Sequence, residues 1–270
     1  MTVPLEVVPA SREHHAAFAR FFAELGVEDP LPDPDRWERE LAPGTFFLAE
    51  AGRLVGYAFL ELYGARGYVR HVVVAEDARG RGVGRALMEE LARRVRAAGA
   101  TRWELNVKRD NRPAIALYER YGMRTEHVTH VVRLSLPGVA RLAGCARPVL
   151  ARGVAPAADA EVERAFHLPD GKLARLRSLA GMTLVRLVEH ERTVAFARFD
   201  PRYPGCFPFH VEAAELARPL LEQLVPLCPR GATWIQLVIE ADEATTGALL
   251  AAGAQPVFEI LHLAGDVPAA

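Results

Sequence analysis

The sequence Arg79-Gly80-Arg81-Gly82-Val83-Gly84-Arg85 places three glycines within five residues, between an apolar run at residues 68–74 and a helix-like run at residues 86–91. This order predicts a strand, a glycine loop and a helix. Glycines let the backbone approach a bulky anion, and the first amides of a helix point outward because they have no intrahelical partner. The pattern predicts a phosphate-binding loop; a simple strand-to-helix turn is the alternative interpretation.

Two other kinds of glycine loop do not fit this stretch. The chain contains no Gly-x-x-x-x-Gly-Lys-Ser/Thr sequence, which excludes the P-loop of nucleoside triphosphatases. Dinucleotide-binding loops have the spacing G-x-G-x-x-G, whereas Gly80, Gly82 and Gly84 alternate as G-x-G-x-G. The acidic residue that such loops require at the end of the following strand is not evident either.

The spacing Arg79-x-x-Gly82-x-Gly84 resembles the Gln/Arg-x-x-Gly-x-Gly/Ala signature with which the GNAT acyltransferase family holds the pyrophosphate of acetyl-CoA. A second stretch, Asn111-x-x-Ala114-x-x-Leu117-Tyr118-x-x-x-Gly122-Met123, is similar to that family's Asn-x-x-Ala-x-x-Leu-Tyr-x-x-x-Gly-Phe motif. The two motifs are independent of each other and follow in the family's order. The resemblance therefore implies an acetyl-CoA-dependent N-acetyltransferase.

The fold class implied by the resemblance is α/β, with an α+β mixed sheet and two tandem GNAT-like domains. Each domain would be a central, mostly antiparallel sheet flanked by helices. Hydrophobic periodicity in the first half predicts strands at residues 2–8, 45–50, 53–62, 68–74, 101–107 and 123–134. It predicts helices after Ser11 and at residues 35–41, 82–98 and 112–121, three of which end at Gly26, Gly99 and Gly122.

The second half repeats the first. Gly99-Ala100-Thr101 corresponds to Gly231-Ala232-Thr233, and a hairpin at residues 46–59 corresponds to one at residues 184–196. A length of 270 residues suits two domains, and an internal duplication explains the correspondence. We predict a catalytic domain at residues 1–136, a linker at 137–148, where prolines and glycines interrupt the pattern, and a degenerate domain at 149–270.

The chemistry does not repeat with the fold. In place of the glycine loop the second half has Glu212-Ala213-Ala214-Glu215-Leu216-Ala217, which has no glycine and carries two carboxylates that would repel a pyrophosphate. Leu249 or Leu250 stands in the place of Tyr118, and no asparagine precedes that helix. We therefore predict that the second half binds no CoA.

The resemblance assigns roles to individual residues. Acetyl-CoA would be held by the glycine loop, the strand before it and the second motif: Val72, Val73, Val74, Arg79, Gly80, Arg81, Gly82, Val83, Gly84, Arg85, Asn111 and Tyr118. Asn111 either contacts the pantetheine arm or only caps its helix, because asparagine is a preferred cap. Tyr118 is the predicted general acid for the leaving thiolate, and a packed core tyrosine is the alternative. No metal is expected.

The general base has no obvious candidate. Relatives carry a glutamate at the position of Asn106, and others use the positions of Tyr68 or Arg70, none of which is a carboxylate here. Strand alternation predicts that residues 68, 70, 72 and 74 share one face, with His71 packed on the other. We predict Tyr68, Arg70 and Asn106 as acceptor-binding residues. Glu61, Tyr63 and Glu104 are further groups that could relay a proton through water.

Composition limits the partners and the location. The net charge is −1 and the basic residues are scattered, which disfavours nucleic acid. No apolar run is long enough to cross a membrane, the N-terminal residues lack a signal-peptide pattern, and three widely spaced cysteines suit a reducing compartment. We therefore expect a cytoplasmic protein with a small-molecule or peptide amine as acceptor.

Two alternatives stay open. A non-catalytic acyl-CoA-binding or regulatory module would tolerate the missing base, and a related enzyme would transfer the acyl group to a thiol or hydroxyl. Tandem GNAT architecture also occurs in mycothiol synthases, but no match specific enough to name that substrate is present. The proline- and aromatic-rich residues 200–210 are the best candidate for a second-half segment that shapes the acceptor site.

Overall fold

The computed structural model describes residues 4–26, 31–178 and 181–269, and the chain divides into two compact units, Met1–Glu126 with His262–Ala270, and His127–Leu261. Residues 2 and 3 of the first predicted strand lie outside the described ranges. Within those ranges, no helix is long and apolar enough to cross a membrane.

The first unit is built on a sheet with helices on both faces. Its strands lie in the order β1-β2-β3-β4-β5, followed by the last residues of the final strand of the chain. The first four strands pair antiparallel, and β4 pairs parallel with β5. The strands are β1 Leu5–Pro9, β2 Thr45–Glu50, β3 Arg53–Tyr63, β4 Arg66–Val74 and β5 Arg102–Lys108; the helices are α1 His15–Ala23, α2 Pro34–Arg36, which continues as a π-helical turn Trp37–Leu41, α3 Val83–Ala97 and α4 Arg112–Arg120.

Each face of this sheet has its own helix. On one face, Phe18 and Phe21 of α1 pack with Trp37 and Tyr57, and all four side chains are at most 1% exposed. On the other face α3 lies close to the strands, since a β-carbon added to Gly67 of β4 would stand 2.7 Å from Val95. The spacing of Leu87, Leu91 and Val95 at intervals of four residues puts one apolar stripe of α3 against the sheet.

The second unit has a sheet in the order β6-β11-β10-β9-β8-β7, with the first residues of β12 on the other side of β6. Its strands are β6 Arg124–Ser135, β7 Leu150–Gly153, β8 Thr183–Glu189, β9 Arg192–Asp200, β10 Gly205–Val211, β11 Trp234–Glu240 and β12 Gln255–Asp266; its helices are α5 Asp159–Ala165, α6 Lys172–Ser178, α7 Ala217–Leu224 and α8 Glu243–Ala251. The predicted mixed α/β architecture is confirmed.

Backbone details confirm the repeated hairpin. Both central residues of the β2–β3 turn, Ala51 and Gly52, have positive φ, and so do His190 and Glu191 in the β8–β9 turn. Each hairpin also has a register irregularity at the same distance before its turn, between Leu48 and Ala49 and between Leu187 and Val188. A shared turn conformation with a shared irregularity supports an internal duplication.

The compact units differ from the predicted sequence halves at the final strands. Residues 127–135 of β6 belong to the second unit, whereas residues 262–266 of β12 belong to the first. In the first unit the Val267 amide donates to the Thr101 carbonyl at 2.9 Å. Alternation within a strand predicts its buried face but not its neighbour, so the sequence pattern could not reveal this exchange.

Candidate active site

The glycine loop joins β4 to α3 as predicted. After β4 ends at Val74, a single 3-10 turn at Glu76–Ala78 leads to Gly80 and Gly82, whose φ values are +75° and +89°. This left-handed conformation favours glycine, and a β-carbon added at either position would meet nothing within 4 Å. Open space therefore lies over the N-terminus of α3, where unpaired amides can receive an anion.

Two arginines of the loop are held by carboxylates. The Arg79 side chain donates from Nη2 to Glu24 at 2.8 Å and from Nε to the Val74 carbonyl at 3.2 Å. Arg81 forms an ion pair with Glu50 at 2.5 Å. Both guanidinium groups are about half exposed, at 55% for Arg79 and 47% for Arg81, so these pairs can be exchanged for a ligand at small cost.

Glu24→Gln is expected to raise the affinity for CoA slightly. The change removes the charge that competes with a phosphate for Arg79, and an exposed ion pair of this kind is worth about 1 kcal/mol at most, or about fivefold in affinity. Titration calorimetry with CoA measures the effect, and Glu38→Gln, which removes the partner of Arg12 in another exposed pair, is the control. Weaker binding in the Glu24 variant would mean that Glu24 orients Arg79 toward the ligand.

The strand that enters the loop separates from its parallel neighbour. In the described part of the chain, ladder pairs between β4 and β5 run from Arg66 with Arg102 to Val69 with Leu105 and then stop. Both strands continue, β4 to Val74 and β5 to Lys108. Residues 70–74 of β4 thus border a cleft that opens toward the glycine loop, with β3 on their other side.

A β-bulge at Arg70 corrects the predicted alternation. Leu60 pairs with Val69, but its neighbour Phe59 pairs with His71, so Arg70 is an extra residue. The bulge reverses the faces, and Tyr68 therefore lies on the side of His71 and Val73 rather than with Val72 and Val74. The prediction that residues 68, 70, 72 and 74 share one face is wrong, because an extra residue cannot be read from an apolar run.

The predicted packing of His71 is confirmed. Its ring contacts Phe22, Tyr57 and Phe59, and the Tyr57 hydroxyl lies 3.0 Å from Nδ1. Burial, with a smaller contribution from the positive charge of Arg70, lowers the pKa of His71 to about 3. The imidazole is therefore neutral near pH 7 and shares a hydrogen bond with the phenol. Val73 is likewise in this core and only 5% exposed.

His71→Phe is expected to flatten the pH dependence of stability below pH 6.5. The unfolded chain binds a proton at His71 near pH 6.5 and the folded chain only near pH 3. His71 therefore does not reduce the free energy of unfolding above pH 6.5, and that free energy falls as the pH drops below 6.5. The loss is about 1.4 kcal/mol per pH unit for this group. Urea unfolding at pH 7, 6 and 5 measures the slope, and parallel slopes in wild type and variant would contradict the assignment.

The second motif forms helix α4 and its cap. Asn111 is the N-cap residue, and its Oδ1 accepts from the Ala114 amide at 3.3 Å, so the capping role is present and ligand contact stays a prediction. Tyr118 is 7% exposed, and burial raises its pKa to about 12. Its hydroxyl makes no hydrogen bond within the described residues and is not one of their buried polar atoms that lack a partner. A ligand could supply a hydrogen-bond partner.

A row of polar side chains crosses the same sheet face as His71. Tyr68 pairs with Glu61 on one side and Glu104 on the other. Glu61 accepts from Tyr63 at 2.7 Å, and Glu104 lies 3.6 Å from Arg66. The Arg70 guanidinium stacks over the Tyr68 ring at 5.2 Å, so two of the three predicted acceptor residues touch each other.

The third predicted acceptor residue, Asn106, lies two residues beyond Glu104 and has a partner that the sequence did not suggest. Its Oδ1 is 3.0 Å from Nδ1 of His262, on the end of β12. The partners are 156 residues apart, and no motif surrounds His262. The only sequence signal for His262 is the internal repeat: His262 follows Thr233 by the same number of residues as His130 follows Thr101.

Within its described residues, the second unit has no glycine loop between β10 and α7. The Glu212 amide donates to the Val194 carbonyl as the Ala75 amide donates to that of Val55, but the 3-10 turn Ala214–Leu216 then runs directly into α7. Residues 79–82 therefore have no counterpart, which corrects the predicted alignment of residues 212–217 with the loop. Glu212 is paired with Arg192 at 2.6 Å. Leu249 of α8, fully buried, takes the position of Tyr118.

Comparisons with known proteins agree with these motifs. The family model "Acetyltransferase (GNAT) family" matches residues 12–123. An acetyltransferase of Pectobacterium atrosepticum is 35% identical over 100 residues, which cover 36% of this chain and 71% of the relative. A mycothiol acetyltransferase of Streptomyces avermitilis is 31% identical over 121 residues, which cover 44% of this chain and 39% of that one.

Solved structures of other proteins have a similar fold over nearly the whole chain. A tandem GNAT protein from the clavulanic acid biosynthesis pathway has a TM-score of 0.67 and 18% identity, with 99% of this chain and 100% of the other covered. At that identity the likeness shows the fold, with its tandem arrangement, and no more. The relative that is matched over 71% of its own length shows the family. The chain therefore belongs to the acetyltransferase (GNAT) family and is an acyltransferase.

Proposed function

We propose that the protein is an acetyl-CoA-dependent N-acetyltransferase that transfers the acetyl group directly to a primary amine. The observation that carries the proposal is the cleft between β4 and β5, which leads into an open glycine loop at the start of α3. A long thioester with a diphosphate at one end suits this shape. The amides of residues 81–85 and the Arg79 side chain would hold the diphosphate, because both present positive charge there.

The rest of acetyl-CoA would lie along β4. In the proposal, the backbone of Val72 and Val74 pairs with the pantetheine arm as a further strand would, at the edge where β5 has separated. Val73 contributes its backbone only, since its side chain is in the core. Gly80, Val83 and Arg85 shape the loop, and Asn111 keeps α4 in place by capping it.

Tyr118 would assist departure of the thiolate. A thiol has an ordinary pKa of about 8.5, so a phenol with a pKa of about 12 is too weak an acid for complete proton transfer to be favourable. The hydroxyl would instead donate a hydrogen bond to the sulfur while the carbon–sulfur bond breaks. This hydrogen bond strengthens as negative charge develops on the sulfur. It therefore stabilises the transition state more than the ground state and lowers the barrier to thiolate departure.

The proton balance is simple. The acceptor arrives as an ammonium ion and loses one proton to a base, and its nitrogen lone pair then forms the new bond to the thioester carbonyl carbon. The second nitrogen proton leaves when the tetrahedral intermediate collapses, and the sulfur takes up one proton. The products are an amide, CoA thiol and one proton released to solvent, and no covalent enzyme intermediate is needed.

Two carboxylates of the polar row could accept hydrogen bonds from an amine, although Arg66 lies 3.6 Å from Glu104. Glu61 and Glu104 flank Tyr68, and both are 8% exposed, so their fields are little screened. We propose that Tyr68, Arg70 and Asn106 contact a small-molecule or peptide amine here. The mycothiol acetyltransferases suggest one kind of acceptor, but this chain spans only 39% of the Streptomyces avermitilis protein.

In the proposal, residues 1–136 form the catalytic domain, which binds one CoA per chain. Residues 149–270 form the degenerate domain, which binds none. The three cysteines are free thiols, which suits the proposed cytoplasmic location.

Calorimetry with acetyl-CoA and release of CoA thiol in the presence of ethanolamine, glucosamine and glycylglycine test the proposal. We expect one site per chain and stimulation of thiol release by at least one amine. Absence of binding, or thiol release stimulated by thiols and alcohols but by none of these amines, would contradict it.

A further inference from the structure

His262 comes from the far end of the chain but belongs to the first unit. It lies on the final residues of β12, beside Asn106 of β5. From His262 to Val267 the chain moves forward, while the contacted residues of the neighbouring segment move back from Asn106 to Thr101. The end of the chain therefore lies antiparallel to β5 here. The His262 side chain is 13% exposed, which leaves it sheltered but within reach of solvent.

Its partner Asn106 stands where β4 and β5 separate. Leu105 is the last β5 residue paired with β4, and Asn106 follows it directly. The imidazole is therefore placed at the point where the cleft begins. In the proposed function the thioester lies in that cleft, so an acceptor that attacks it passes close to Asn106 and His262.

The contacts of the ring suit proton transfer. The Asn106 carbonyl oxygen accepts from Nδ1–H, and in the neutral ring this leaves the lone pair on Nε2. Nε2 is 3.9 Å from Glu104 and 4.0 Å from Glu126, too far for direct hydrogen bonds but close enough to stabilise an imidazolium. The other charged groups facing these carboxylates are Arg66, 3.6 Å from Glu104, and Arg102, which is paired with Glu126.

We propose that His262 is the general base of the transfer, an inference that rests on the proposed function. Nε2 takes one proton from the ammonium group of the acceptor, directly or through one water, and later releases it to solvent. The freed lone pair on the acceptor nitrogen attacks the carbonyl carbon. Asn106 is a positioning residue that holds the ring in the tautomer with its lone pair on Nε2.

The repeat provides a matched control. His130 on β6 has the same interval from Thr101 as His262 has from Thr233. It also lies near two carboxylates, Glu243 at 3.0 Å and Glu259 at 3.4 Å, but its ladder partner on β11 is the apolar Ile239. His130→Ala thus removes a similar histidine from the second unit, in which the described residues between β10 and α7 form no glycine loop.

The experiment uses the full chain as wild type, His262→Ala, His262→Gln, Asn106→Ala and His130→Ala. Acetyl-CoA affinity is measured by calorimetry, and thiol release is followed from pH 5.5 to 9.5 with water, ethanolamine, glucosamine or glycylglycine as acceptor. For both His262 variants we expect unchanged acetyl-CoA affinity and a fall in kcat/KM of about 100-fold or more at pH 7. The rising limb of the pH profile should move to higher pH, where the acceptor amine is itself deprotonated in solution, and added imidazole should restore part of the rate in His262→Ala.

Asn106→Ala should leave the rising limb at a lower pH than in the His262 variants, because the base remains but its orientation is lost. His130→Ala should behave as wild type. His262→Gln guards against misfolding, because its amide can still donate to Asn106 and a thermal melt reports whether the fold is kept.

The outcomes separate the two proposals. A wild type that neither binds acetyl-CoA nor releases thiol overturns the proposed function and this inference with it. If the wild type is active and a folded His262 variant keeps the rate and the rising limb, only the inference fails. A loss of rate that leaves the limb in place and is not rescued by imidazole makes His262 structural and also overturns it.

Discussion

Gly82→Glu is expected to abolish CoA binding while the protein stays folded. The glutamate would stand at the N-cap of α3, in the space that the diphosphate needs. At about 5 Å and an effective dielectric constant near 20, one pair of like charges costs about 3 kcal/mol, which lowers affinity by about 100-fold or more. Calorimetry of the variant should show no measurable site, because the wild type is expected to bind one CoA per chain.

Gly99→Glu is the matched control for this change. Gly99 ends the same helix, also has a left-handed φ, +75° against +89°, and also has nothing within 4 Å of an added β-carbon. The backbone strain of about 1–2 kcal/mol is therefore similar in both variants. We expect equal losses of melting temperature but unimpaired CoA binding in Gly99→Glu. Binding that survives Gly82→Glu, or two sites per chain in the wild type, would disprove the proposed cradle.

Tyr118→Phe is expected to lower kcat by about 100-fold and to leave KM for acetyl-CoA nearly unchanged. The hydroxyl makes no hydrogen bond within the described chain, so its removal should cost little stability, and its hydrogen bond to the ligand matters only as charge develops on sulfur. Because burial holds the pKa of Tyr118 near 12, the phenol stays protonated in the whole working range. The wild-type rate should therefore show no loss from this group below about pH 11.

Tyr121→Phe makes the same substitution one helical turn later. That hydroxyl donates to the Arg85 carbonyl at 3.0 Å, so its loss should be felt in stability rather than in kcat. Steady-state kinetics and thermal melts of both variants distinguish the two roles. An unchanged kcat in Tyr118→Phe would make Tyr118 a core tyrosine.

Local chemistry determined much of this protein. Gly80 and Gly82 specify a loop with left-handed backbone, apolar periodicity specifies β4 and α3 around it, and Asn111 specifies the start of α4. These signals act over a few residues, so the sequence alone was enough to predict the elements, the family and the repeated hairpin. The same signals identified Tyr118, although its role stays a prediction.

Features that depend on which strands pair with each other were decided only by the tertiary structure. Many strands with the same alternation can complete either sheet, and only packing selects the end of β12 for the first unit. The bulge at Arg70 follows from pairing with β3, and the missing loop in the second unit emerges only when the ladders are compared. His262 reaches Asn106 for the same reason, since a contact across 156 residues is set by strand pairing and leaves no pattern near either residue.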